Sequence, residues 1–75
     1  MIGIIGFGRF GELAARYLAR DIQVVVFDRG SKTDRIRAVG AQPADLETTC
    51  AQKMVLLCVP ISHMRAQLAA IAPLL

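Results

Sequence analysis

The chain has 75 residues, about half an ordinary domain, and its 55% hydrophobic and 20% charged content excludes a disordered or acidic tail and calls for a core. Its formal charge of +3 is spread from Arg9 to Arg65 and not gathered in one block, which argues against nucleic-acid binding, although the cluster from 29 to 37 can face an anion. The longest uncharged stretches, Met54 to Met64 and Ala66 to Leu75, fall short of the roughly 18 to 20 apolar residues that span a bilayer, so no membrane partner is expected.

A short apolar run rich in β-branched residues opens the chain at 2–5 (IGII), and two more follow at 22–27 (IQVVVF) and 54–59 (MVLLCV). Near-continuous apolar runs of that length suit parallel strands covered on both faces. Between the first two, Phe10, Leu13, Ala14, Tyr17 and Leu18 recur at helical spacing, with Arg9, Glu12, Arg16 and Arg20 on the other side. That pattern predicts an amphipathic helix with its apolar stripe toward the core. Glu12 and Arg16 also stand four apart in the favourable order.

Ser31 with Asp34 matches a capping box and Gly40 supplies a left-handed stop, which predicts a second helix from Lys32 to Val39 on a thin apolar face of Ile36, Ala38 and Val39. A short strand near 41–43 and a short helix around 45–51 precede the third apolar run. A last helix is expected from about Ile61 to Ala72, with Ile61, Met64, Leu68 and Ile71 on one stripe and Pro73 at its end. Strands alternating with helices in this way describe the first part of an α/β fold, a doubly wound parallel sheet, because parallel strands need crossover helices.

The first strand runs into GFGRFG, with glycines at 6, 8 and 11. In a G-x-G-x-x-G turn between a strand and a helix, Gly6 permits the tight turn, Gly8 lets the backbone approach a pyrophosphate, and Gly11 allows close helix packing. The phosphate then rests on free N–H groups at the positive end of the helix beginning near Arg9. Alone the motif is weak. Here Asp28 follows Gly6 by about 20 residues at the end of the second strand, where the fingerprint expects a carboxylate for the adenosine ribose. The plain alternative for Asp28 is a turn or cap residue.

Cys50 and Cys58 have neither CxxC spacing nor neighbouring histidines, so they read as buried reduced thiols and no metal site is expected. The amino terminus lacks the pattern of a secretory signal, and a cytoplasmic location is expected.

The runs IGIIGFGRFG, VVVFDR and LLCVPIS, followed by a helix ending IAPLL, resemble the amino-terminal half of the nucleotide-binding domain of prephenate and arogenate dehydrogenases. The resemblance implies a Rossmann-type domain in an NAD-dependent enzyme of tyrosine biosynthesis, an oxidoreductase that decarboxylates prephenate or arogenate and works as a homodimer. By position it implies that Gly6, Gly8, Arg9, Phe10 and Gly11 hold the pyrophosphate and that Asp28 with Arg29 meets the adenosine ribose. Cys58, Val59 and Pro60 would line the cofactor on its way to the nicotinamide, the plain alternative being an ordinary strand-to-helix turn.

NAD is expected over NADP, because a 2′-phosphate would face the Asp28 carboxylate. The family's catalytic histidine and substrate-gripping arginine match no position, so no catalytic residue is expected among the 75. His63, the single histidine, reads as solvent-facing or capping. The chain is therefore read as a partial dinucleotide-binding domain that stops before a fifth strand and contains no second domain. Two other readings stay open: another β-hydroxyacid dehydrogenase, and a regulator of potassium conductance domain. The latter carries a similar GRFG turn but usually a Gly-Asp pair where this chain has GAQPADL.

Overall fold

The apolar runs at 2–5, 24–27 and 54–57 assemble side by side. In the computed structural model, which describes residues 1–30 and 32–75, β1 (Ile2–Ile5) pairs in parallel with β2 (Val24–Phe27) on one side and β4 (Met54–Leu57) on the other. The two-residue β3 (Gln42–Pro43) adds to the far side of β2, giving the order β3-β2-β1-β4. Ile4 faces Val26 across one ladder and Leu56 across the other. Every connection is a helix: α1 (Arg9–Leu18), α2 (Thr33–Ala38) and α3 (Leu46–Cys50) link the strands, and α4 (Ile61–Ile71) with a 3-10 turn (Ala72–Leu74) follows β4. This is the expected α/β, doubly wound parallel sheet.

Alternation along the strands divides the core into two faces. Ile2, Ile4, Val24 and Val26 pack with Phe7, with Ala15 of α1 and with Ile36 of α2. Ile5 turns to the other face and meets Cys50 of α3 and Ile71 of α4, with Phe27, Val55 and Leu57 half-buried around them. Gly40 takes φ +91° just after α2, the left-handed stop expected there. Asp45 caps α3, its carboxylate accepting the Thr48 N–H at 2.7 Å. The predicted capping box involves Ser31, which lies outside the described residues; α2 itself starts after Lys32 without a side-chain cap.

Three expectations about burial need correction. On α1 the buried line is Gly11 and Ala15, with Ala14 and Leu18 half-buried, whereas Phe10, Leu13 and Tyr17 are 79%, 63% and 70% exposed. The helix lies so close to the turn before it that only small residues fit on its inner line, and the larger apolar side chains are rotated outward. On α4 the inward residues are Gln67 and Ile71, with Met64 half-buried, and Leu68 is largely exposed; the side chain of Ile61 is outside the description. On β4, an edge strand, Met54 is exposed and the rest are only half-buried, so the two-sided cover expected of MVLLCV belongs to β1 and β2 alone.

Candidate functional site

Where β1 ends, the backbone must reverse into α1 within three residues, and the three glycines meet different steric demands. Gly6 has φ +101°, and a Cβ there would sit 2.5 Å from the Cys58 carbonyl oxygen. A Cβ on Gly11 would sit 1.9 Å from the Gly6 carbonyl oxygen, so the first turn of α1 rests on the turn itself. Around Gly8 nothing lies within 4 Å of the Cβ position. Local packing thus demands glycine at 6 and 11, while at 8 it demands nothing, and the absent side chain leaves room for an external group. Gly8 is also the N-cap of α1 and offers no side-chain cap bond. The N–H groups of a helix's first turn have no intrahelical acceptor and carry the positive end of the dipole, a donor set that fits a phosphate.

Phe7, between the first two glycines, is held from every side. Its side chain is fully buried. Its N–H donates to Asp28 Oδ1 at 2.7 Å, and its carbonyl accepts from Lys32 Nζ at 3.2 Å. Asp28 Oδ2 accepts the Gly30 N–H at 2.8 Å and lies 3.8 Å from Lys32 Nζ. The Arg35 guanidinium stands 5.8 Å over the Phe7 ring and pairs with Glu12 on α1, which Arg16 also meets at 3.0 Å. Arg35 first, then Arg16, holds the Glu12 carboxyl below the ordinary glutamate range.

The turn, the end of β2 and the start of α4 enclose a cleft of about 490 Å³ at the carboxyl ends of the strands, where open α/β sheets take their ligands. Of the residues singled out from sequence, Gly6, Gly8, Asp28, Arg29, Cys58, Val59 and Pro60 line it. Arg9, Phe10 and Gly11 do not: Arg9 and Phe10 are exposed on α1 and Gly11 is buried beneath the turn, so what this segment offers a ligand is backbone. The Cys58 thiol is pushed up by burial and stays protonated near neutral pH. Among the described residues no group of three or more metal-ligating side chains forms, and no helix is long and apolar enough to cross a membrane.

The place of His63 and Gln67 in the cleft, and the burial of Phe7 beside it, are not announced by any motif in the sequence. His63 and Gln67, one turn apart on α4, both line the cleft, His63 exposed and Gln67 buried. A four-residue spacing on the helix after a strand with a Val-Pro turn is a signal that was available for the pair. Phe7 had none, because a residue between two glycines has no periodic neighbours from which burial can be read.

The family model described as NADP oxidoreductase coenzyme F420-dependent matches residues 1–75, the whole of the chain. No curated protein and no solved structure gives a significant match.

Proposed function

The chain belongs to the family described as NADP oxidoreductase coenzyme F420-dependent and is an NAD(P)-binding Rossmann domain of an oxidoreductase; from that premise we propose that it holds the adenosine and pyrophosphate of the cofactor in the cleft described above. The pyrophosphate sits beside Gly8, within the segment of Gly6, Gly8, Arg9, Phe10 and Gly11, on the free N–H groups at the start of α1; the Gly6 N–H is taken by the Phe27 carbonyl, so Gly6 contributes the turn and not a donor. Asp28 and Arg29 meet the adenosine ribose, and Cys58, Val59 and Pro60 flank the path toward the nicotinamide. One observation carries this reading: Gly6 and Gly11 are glycine because backbone atoms crowd them, whereas Gly8 opens on free space at the start of a ten-residue helix.

A bound dinucleotide would supply hydride transfer; the residues of this chain bind and orient it. The charge of Asp28 favours NAD, since a second negative group within about 4 Å costs roughly 1 to 4 kcal/mol at a partly exposed site. Arg29 and Lys32 line the same cleft and oppose that preference. The finer assignment, oxidative decarboxylation of prephenate or arogenate, rests on the resemblance at the glycine turn, Asp28 and Cys58-Val59-Pro60, while the family match supports the oxidoreductase class.

Calorimetric titration with NAD and NADP tests the proposal. The chain is expected to bind both, NAD more tightly, and Gly8→Ala is expected to weaken binding at least tenfold, about 1.4 kcal/mol, with the fold retained. Equal affinity of the two proteins for NAD would remove the glycine argument, and NADP binding as tight as NAD would remove the ribose role of Asp28.

A further inference from the structure

Both backbone polar groups of Phe7 are engaged by side chains from the connection after β2: the N–H by Asp28 Oδ1 at 2.7 Å and the carbonyl by Lys32 Nζ at 3.2 Å. The same carboxylate reaches in the other direction to the Gly30 N–H at 2.8 Å. Asp28 therefore links the turn after β1 to the turn after β2, two loops that no strand ladder joins beyond Gly6, whose N–H donates to the Phe27 carbonyl at 2.8 Å. Burial of the Phe7 side chain fixes where this residue lies, but not how its peptide planes are rotated. That rotation sets where the N–H groups at the start of α1 point.

We infer that Asp28, assisted by Lys32, is a positioning residue that holds the glycine turn in its phosphate-binding form before any ligand arrives, in addition to facing the ribose. The inference rests on the dinucleotide reading for its effect on affinity, but the clamp itself is a property of the free chain. The two roles of Asp28 separate cleanly. Its charge near the ribose changes the ratio of NAD to NADP affinity. Its grip on the turn changes both affinities by a common factor, because the two cofactors share one pyrophosphate. A carboxamide has one acceptor oxygen where the carboxylate has two, so Asn can keep the Phe7 bond while losing the charge and the bond from Gly30.

The experiment uses Asp28→Ala and Asp28→Asn, with NAD and NADP titrations and amide hydrogen exchange of the free proteins. In Asp28→Ala, Phe7 exchange is expected to quicken at least tenfold relative to Gly6, whose bond to Phe27 is untouched, and the affinities for NAD and NADP are expected to fall together by at least tenfold. Asp28→Asn is expected to keep Phe7 within about threefold of its original protection and to recover most NAD affinity, with only the cofactor ratio moved toward NADP. Referring Phe7 to Gly6 removes any general loss of stability from the reading. Unchanged relative protection of Phe7 in Asp28→Ala would overturn the clamp, as would a variant in which the cofactor ratio alone moves. If the unaltered chain binds neither cofactor, the proposed function fails while the exchange measurement still decides the clamp.

Discussion

The two walls of the cleft are held by different physics. On one side, the glycine turn and the end of β2 lie against a core of fully buried side chains and are cross-braced by Asp28, Lys32, Arg35 and Glu12. On the other side, Cys58 to Pro60 continue a half-buried edge strand into α4, whose inward face is Met64, Gln67 and Ile71. The Cys58 N–H bonds the Ile5 carbonyl at 2.8 Å and the His63 N–H bonds the Pro60 carbonyl at 2.9 Å, but among the described residues no side-chain hydrogen bond ties this wall to its neighbours. A phosphate needs several donors aimed at one point, so the wall that offers backbone N–H groups gains most from being fixed in advance. The opposite wall offers surface, and small shifts there cost little.

The sharpest way to break this contrast is to remove the anchor of the braced wall. Phe7→Ala is expected to cost about 3 to 5 kcal/mol of stability, as large-to-small changes of a buried aromatic do. Phe10→Ala, three residues away on an exposed position, is expected to stay within about 0.5 kcal/mol. Urea unfolding of both variants measures the difference. Similar losses would mean that the turn is not anchored through Phe7.

The glycines give the next largest effect and divide stability from binding. Gly11→Ala places a Cβ against the Gly6 carbonyl, a backbone atom that cannot swing aside, and is expected to destabilise by about 1 to 3 kcal/mol. Gly8→Ala meets nothing and is expected to change the unfolding free energy by less than about 0.5 kcal/mol while losing cofactor affinity. The motif is sharpened if the two substitutions separate in this way. It is broken if Gly8→Ala is the more damaging to stability.

How far these features can be read in sequence follows the same division. Runs of β-branched residues and the glycine spacing sufficed for the order of strands and helices and for the place of the cleft, because period and turn chemistry are local. The inward line of α1 departs from its hydropathy pattern because Gly11 draws the helix so close that Ala15, and not Phe10 or Leu13, fits beneath it; that depends on a contact with Gly6 made in space. On α4, Gln67 turns inward where Leu68 was expected, since the cleft tolerates an amide at its floor and hydropathy assigns amides to solvent. Asp28 was identified by its spacing from Gly6, but its bonds to Phe7 and Gly30 are long-range and turn-specific, and no pattern in the chain announces them.

The smallest expected effect concerns the outer brace. Glu12 accepts from Arg35 of α2 and Arg16 of its own helix, and these cations, Arg35 foremost, keep its carboxyl more acidic than in the unfolded chain. A depressed carboxyl binds its proton less readily in the folded state. Its contribution is therefore complete above the unfolded value and is lost as pH falls through the lower folded one. Glu12→Gln is expected to lower the melting temperature slightly at pH 7, and the gap to the unaltered chain should close on acidification to about pH 3. Asp45, also made more acidic, by the Thr48 side chain first and then by the Thr48 N–H, is present in both proteins, so both lose some stability over that range and the difference isolates Glu12. The brace is solvent-accessible, and 1 M salt, with a screening length of about 3 Å, should narrow the gap at pH 7 as well. A gap that survives both acid and salt would show that Glu12 supports the wall by packing and not by charge, leaving Asp28 and Lys32 as its polar ties.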